Sequence, residues 1–97
     1  MKDLIIEWAN ERGLLKPENV HAQTCKLLEE CGELAGAILK KDEEGIADAI
    51  GDIQVVLIIL SAQLGYHYHN CLEAAYEQIK DRKGQTVNGT FIKQQTK

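Results

Sequence analysis

Proline is almost missing from this chain, with Pro17 the one example in 97 residues, and aromatic residues make up 5%. Few positions therefore interrupt a helix, and aliphatic side chains must supply the core. Positive charge is also short: 11 Lys and Arg face 15 Asp and Glu, a formal net charge of −4. That balance argues against non-specific binding to a nucleic-acid polymer, which needs surplus cations against phosphate. The longest uninterrupted apolar run, Val55 to Leu60, is too short to cross a bilayer, so no membrane partner is expected. Acids at Asp3 and Glu7 come too early for a signal peptide, and a cytoplasmic location is expected. In that compartment Cys25, Cys31 and Cys71 are expected as reduced thiols, an odd set that closes no disulfide framework. Internal repeats and low-complexity tracts are absent as well.

What is present reads as globular: 44% hydrophobic and 27% charged residues, in a length that suits one domain spanning residues 1–97. A chain this short buries only a modest core, so a second copy would help to complete it. Apolar spacing predicts a helix from about Asp3 to Arg12, with Asp3 as its cap and Gly13 as its stop. A long helix follows from about Glu18 to Lys41. Its expected apolar side is Leu27, Cys31, Leu34, Ala35 and Ile38, beside a polar stripe of Gln23, Lys26, Glu30 and Glu33.

After a turn at residues 42–45, a third helix is expected from about Glu44 to Leu64. Beyond Asp52 it is apolar almost all round, which implies a central place and a partner subunit. Gly65 ends it, and a fourth helix is expected from about Tyr68 to Arg82. The tail, residues 84–97, carries glycines at 84 and 89 and no helical stripe, so it is expected to be irregular or briefly extended. The architecture is all-α, with short connections between antiparallel neighbours.

The chemistry lies in two acidic pairs. Glu30 and Glu33 stand three apart on the second helix, and Asp48 and Asp52 four apart on the third, spacings that share a helical face. Carboxylates beside a core are costly unless neutralised, and four that converge suit a hard cation such as Mg²⁺. Lys26 and Gln23 lie one and two turns before Glu30, placed to meet phosphate or to hold the carboxylates; Lys26 equally makes an ordinary pair with Glu30. His67, His69 and Cys71 do not share one helical face, and no Cys-x-x-Cys supports a zinc site.

In these motifs the chain resembles the all-α NTP pyrophosphohydrolase superfamily, whose signature is Glu-x-x-Glu on one helix and Glu-x-x-Asp on the next. Glu30-Cys31-Gly32-Glu33 matches the first half, and Gly51-Asp52-Ile53-Gln54-Val55-Val56 the second half and its apolar sequel. Trp8…Arg12-Gly13-Leu14-Leu15 and Ile79-Lys80-Asp81-Arg82-Lys83-Gly84…Asn88-Gly89 extend the likeness to the short, single-domain MazG-like proteins of bacteria and phages. The resemblance implies an antiparallel four-helix, MazG-like bundle completed by homo-oligomerisation, as dimer or tetramer. It also implies hydrolysis of a nucleoside triphosphate to monophosphate and pyrophosphate, with Mg²⁺ as cofactor and Mn²⁺ as substitute. The implied metal ligands are Glu30, Glu33 and Asp52, with Asp48 as a fourth, and Glu29 is the implied outer-shell group or base. Arg82, Lys83 and Asn88 are candidates to close over the nucleotide, and Trp8 either stacks on a base or fills the core. Residues from neighbouring chains are candidates to complete each site.

One position departs from the pattern. The signature's second glutamate falls at Ala49, three residues before Asp52, and alanine binds no metal. Asp48, a helical turn before Asp52, is the expected substitute, acting directly or through a water. The competing reading is a non-catalytic helical protein that binds nucleotide or a regulatory partner.

Overall fold

Lys41 and Asp42, two residues between two long helices, set the architecture. The computed structural model describes residues 1–94 and contains, in order, α1 (Lys2–Glu11), a 3-10 turn (Pro17–Asn19), α2 (Val20–Lys40), α3 (Glu43–Leu64), α4 (Tyr68–Ile79), β1 (Gly84–Val87) and β2 (Thr90–Lys93). The last three residues of the expected tail, 95–97, lie outside the described residues.

Each helix ends where local chemistry dictates. Gly13 takes a φ of 70° just past α1, and the Asn19 side-chain amide donates to its carbonyl at 3.1 Å, pinning the connector. Asp3 falls in the first turn of α1; its expected role as cap is not realised, since Met1 occupies that position. Lys41 closes α2 in the left-handed region at φ 59°, and the Asp42 carboxylate then accepts from the Gly45 N–H at 3.1 Å, capping α3. A β-carbon on Gly45 would stand 2.5 Å from Asp42 Oδ2, so the cap requires glycine there.

The short turn lays α2 and α3 side by side and antiparallel, and no other pair of elements packs as extensively. Gln23, Glu30 and Ala37 of α2 are buried in the seam, with Leu27 and Leu34 half-buried between them. Ala49, Val56, Ile59 and Gln63 repeat at similar spacing on α3. α1 packs on α3 through the buried Ala9, and the Gln63 amide donates to the Leu14 carbonyl at 2.7 Å.

α2 is therefore rotated relative to the expected phase. Gln23 and Glu30, assigned to the polar stripe, lie in the seam, whereas Cys31, Ala35 and Ile38 of the expected apolar side are exposed in the single chain.

The four-helix bundle, expected to close only on oligomerisation, is open within one chain: α4 meets α3 where Tyr68 contacts Gln54, and every residue from His69 to Gln94 is exposed. Of the two forms expected for the tail, its described part takes the extended one. Residues 84–93 form an antiparallel hairpin that pairs Val87 with Thr90 and Gly84 with Lys93. Its two-residue turn is Asn88-Gly89, both at positive φ (51° and 81°), the geometry whose twist matches paired strands. A four-residue ladder has period two, which a search for helical stripes passes over.

The chain leaves much apolar surface open. Its accessible surface is 7771 Å², against about 5500 Å² for a compact monomer of this mass. The radius of gyration is 16.5 Å, where about 12.5 Å is usual at this length. Taken whole, α3 is long and apolar enough to cross a bilayer by length and composition, a property that its uninterrupted apolar run understates. Val56, Ile58 and Ile59 of that helix are nevertheless buried in the core of this chain.

Candidate active site

Between α2 and the first half of α3 lies an open cleft of about 620 Å³. Glu29, Glu33 and Lys40 line it from α2, and Asp48, Ala49 and Asp52 from α3, with the capping Asp42 at the turn. Gly32 and Gly36 lie on the same face, where a β-carbon would meet no other group, so the absent side chains leave the cleft open. Spacings of four, three and four residues from Glu29 through Glu33 and Gly36 to Lys40 put these positions on one side of α2.

Glu30 sits behind this lining, in the seam, only 5% exposed. Its Oε1 lies 3.6 Å from Lys26 Nζ, the i,i+4 pair that the spacing allowed, and its Oε2 is buried without a hydrogen-bond partner. Its pKa is raised above the ordinary carboxylate value. Burial is the main cause; the adjoining Glu33 carboxylate, which favours a proton held on Glu30, and the charge of Asp52 add to it, while Lys26 opposes. Glu30, Glu33 and Asp52 are thus electrostatic neighbours, and Glu33, Asp48 and Asp52 share the cleft.

A raised carboxyl pKa in the folded state means that folding favours the proton. Between the ordinary pKa and the raised one, the native state binds more proton than the unfolded state, so stability falls as pH rises. In metal-free protein, the melting temperature should therefore contain a component that falls as pH rises from the ordinary carboxylate range through the raised pKa of Glu30. Glu30→Gln should remove that component and leave the variant more stable than the parent at neutral pH. Thermal melts of both proteins across that range check this.

The donor set fits a divalent cation. Among the described residues no three Asp, Glu, His or Cys side chains already stand close enough to form a ready metal cage. A buried carboxylate with one orphaned oxygen and a raised pKa is nonetheless a group short of positive charge, and three more carboxylates stand beside it or open onto the same cleft.

Other candidates are placed less centrally. Gln23 is 8% exposed, two turns from Glu30 along the seam, with an unpartnered Oε1. Trp8 does not fill the core: it is 47% exposed, the Arg12 guanidinium lies 4.3 Å over its ring, and it does not line the acidic cleft. Arg82 and Lys83 line a separate hollow with Lys93, and Asn88 forms the hairpin turn; none of the three lines the acidic cleft of its own chain. Sequence reasoning missed Lys40, the one cation lining the cleft among the described residues, although its spacing from Glu29 and Glu33 was readable. It also missed Gln63, whose burial depends on the α1 connector.

Comparison with known proteins identifies the family. The family model described as the MazG nucleotide pyrophosphohydrolase domain matches residues 18–87, from the 3-10 turn before α2 to the end of β1. An uncharacterized 18.2 kDa protein from the rep-hol intergenic region of Haemophilus phage HP1 (strain HP1c1) is 36% identical over 75 residues. That match takes in 77% of this chain but 42% of the phage protein, so the chain spans less than half of that relative's length. No solved structure matches the chain. With both acidic helices inside the matched region, the chain belongs to the MazG nucleotide pyrophosphohydrolase domain family.

Proposed function

We propose that this protein is a Mg²⁺-dependent nucleoside triphosphate pyrophosphohydrolase. It would convert a (d)NTP and water to the (d)NMP and pyrophosphate, working as a cytoplasmic homo-oligomer. The observation that carries this reading is the acidic cleft with Glu30 buried and unpaired behind it. Glu30 and Glu33 from α2 and Asp52 from α3 would hold the cation, with Asp48 as the fourth ligand. Mg²⁺, or Mn²⁺ in its place, supplies counter-charge for phosphate oxygens and acidifies a bound water.

The chain's own residues do the rest. Glu29, on the cleft wall, accepts the proton of the attacking water at a carboxylate oxygen. Lys40 offers its ammonium to phosphate, and Lys26 holds Glu30 in place through their pair. Oligomerisation is supported by the surplus of exposed surface and by open apolar residues such as Ile38, Ile50 and Leu64, each about half exposed. That partner surface, and the acids on α3, favour a subunit interface over a bilayer for this helix. Free, exposed Cys25, Cys31 and Cys71 suit a reducing compartment.

The test is a panel of NTPs and dNTPs with detection of released pyrophosphate, run with and without Mg²⁺. Turnover should require the metal; none with any nucleotide would overturn the reading. The second reading, a non-catalytic nucleotide-binding protein, draws on Ala49, which lines the cleft yet is only 3% exposed and ligates nothing. It predicts a nucleotide-dependent rise in melting temperature without product. Restoring the family glutamate with Ala49→Glu should tighten Mg²⁺ affinity by about tenfold, the effect of one modest ligand contact (about 1.4 kcal/mol). Titration calorimetry on both proteins measures it.

A further inference from the structure

The acidic cleft has a direction along its length. On α2 its lining passes from Glu29 through Glu33 to Lys40, and on the antiparallel α3 from Asp52 through Asp48 to Asp42. Two neighbours fix the register: Glu30 feels the charge of Asp52, and a β-carbon on Gly45 would stand 3.3 Å from Ala37 Cβ. Glu29, Glu33, Asp48 and Asp52 therefore gather toward one end, and Lys40 stands at the other, beside the turn. Between them the lining is Gly36, Ala37 and Gly45, which present no charge and almost no side chain.

By helix rise, Lys40 lies about 10.5 Å along the axis beyond Glu33, and Glu29 about 6 Å before it. Among the described residues Lys40 makes no ion pair, whereas Lys26, near the opposite end of the site, is held by Glu30. Asp42, at the level of Lys40, is engaged as the cap that accepts from the Gly45 N–H. A free ammonium thus ends a bare stretch of cleft that begins at the carboxylates, the place for the far end of a row of phosphates.

We propose that the nucleotide lies in this cleft with one polarity, its γ-phosphate on Lys40, so that Lys40 selects triphosphates over diphosphates. The α-phosphate then sits among Glu33, Asp48 and Asp52, and the β-phosphate over Gly36 and Gly45. In-line displacement finds its groups in order, because Glu29 faces the α-phosphate from the side opposite the leaving group. The oxygen of the attacking water bonds to the α-phosphorus as the bond from that phosphorus to the bridging oxygen breaks. The electron pair leaves on the pyrophosphate, and the water's proton passes to Glu29. Lys40 offsets the charge of the departing pyrophosphate. A diphosphate has no third phosphate and stops short of Lys40. This assignment rests on the pyrophosphohydrolase reading of the cleft.

The parent protein, Lys40→Met and Lys40→Arg are compared on one nucleoside triphosphate and its diphosphate, with Mg²⁺ present and release of the monophosphate followed. Lys40→Met keeps the stem of the side chain and removes its charge. The ratio of kcat/KM for the triphosphate to that for the diphosphate should fall about 10- to 100-fold in Lys40→Met, the range for one charge-assisted hydrogen bond, and recover in Lys40→Arg. Equal losses on both nucleotides, or none on either, overturn the assignment. A lysine that only complements the end of α2 would lower the melting temperature and leave the ratio alone. If the parent turns over no nucleotide, the catalytic reading fails, and titration calorimetry still decides the contact. Mg²⁺-loaded triphosphate should then bind Lys40→Met about 10- to 100-fold more weakly than the parent, and equal binding overturns it.

Discussion

Glu33→Gln, or Asp52→Asn, is expected to lower pyrophosphate release by at least about 100-fold, since loss of even an outer partner of a metal ligand costs 10–100-fold. Each substitution keeps the shape of the side chain and deletes its charge. Both residues are exposed on the cleft wall, so neither change should disturb packing, and helix content by circular dichroism should stay at the parental level. Glu29→Gln separates a base from a ligand: turnover should fall while Mg²⁺ affinity holds. Full turnover in both the Glu33 and Asp52 variants would remove the acidic cleft from the mechanism.

Leu72→Asp and Ile79→Asp should turn the oligomer into monomers. In the single chain these residues are 57% and 53% exposed, so a carboxylate there costs the monomer little. Inside an interface the same carboxylate is buried without a partner, at about 3–5 kcal/mol, or roughly 100- to 4000-fold in dissociation constant for each change. Sedimentation across a concentration series reads this directly. A parent protein that remains monomeric at every concentration would instead leave the open surface of α3 and α4 without its proposed cover.

Much of this molecule was legible along the chain. The helices, the stops at Gly13 and Gly65, and a short turn between α2 and α3 follow from rules acting over one or two turns of backbone, although the turn is Lys41–Asp42 and Glu43 to Gly45 already belong to α3. The Asn88-Gly89 turn belonged to the same class and was legible too, since an asparagine-glycine pair between short β-prone segments signals a hairpin. The acidic pairs were also readable, and the cleft that holds Glu33, Asp48 and Asp52 together is the meeting of helices that their spacing implied.

By itself, the sequence determined the order of elements, the acids' places around each helix and the surplus of apolar surface. Those are properties of single segments and of composition, set by backbone geometry and side-chain type. Only the tertiary structure decided which carboxylate is buried. The rotation of α2 against α3 turned Glu30 into the seam and left Glu33 on the wall, and no spacing within one helix specifies that angle. It also decided that α4 stands away from the core, because whether an amphipathic stripe packs inside its own chain depends on the surfaces already taken by α1 and α2.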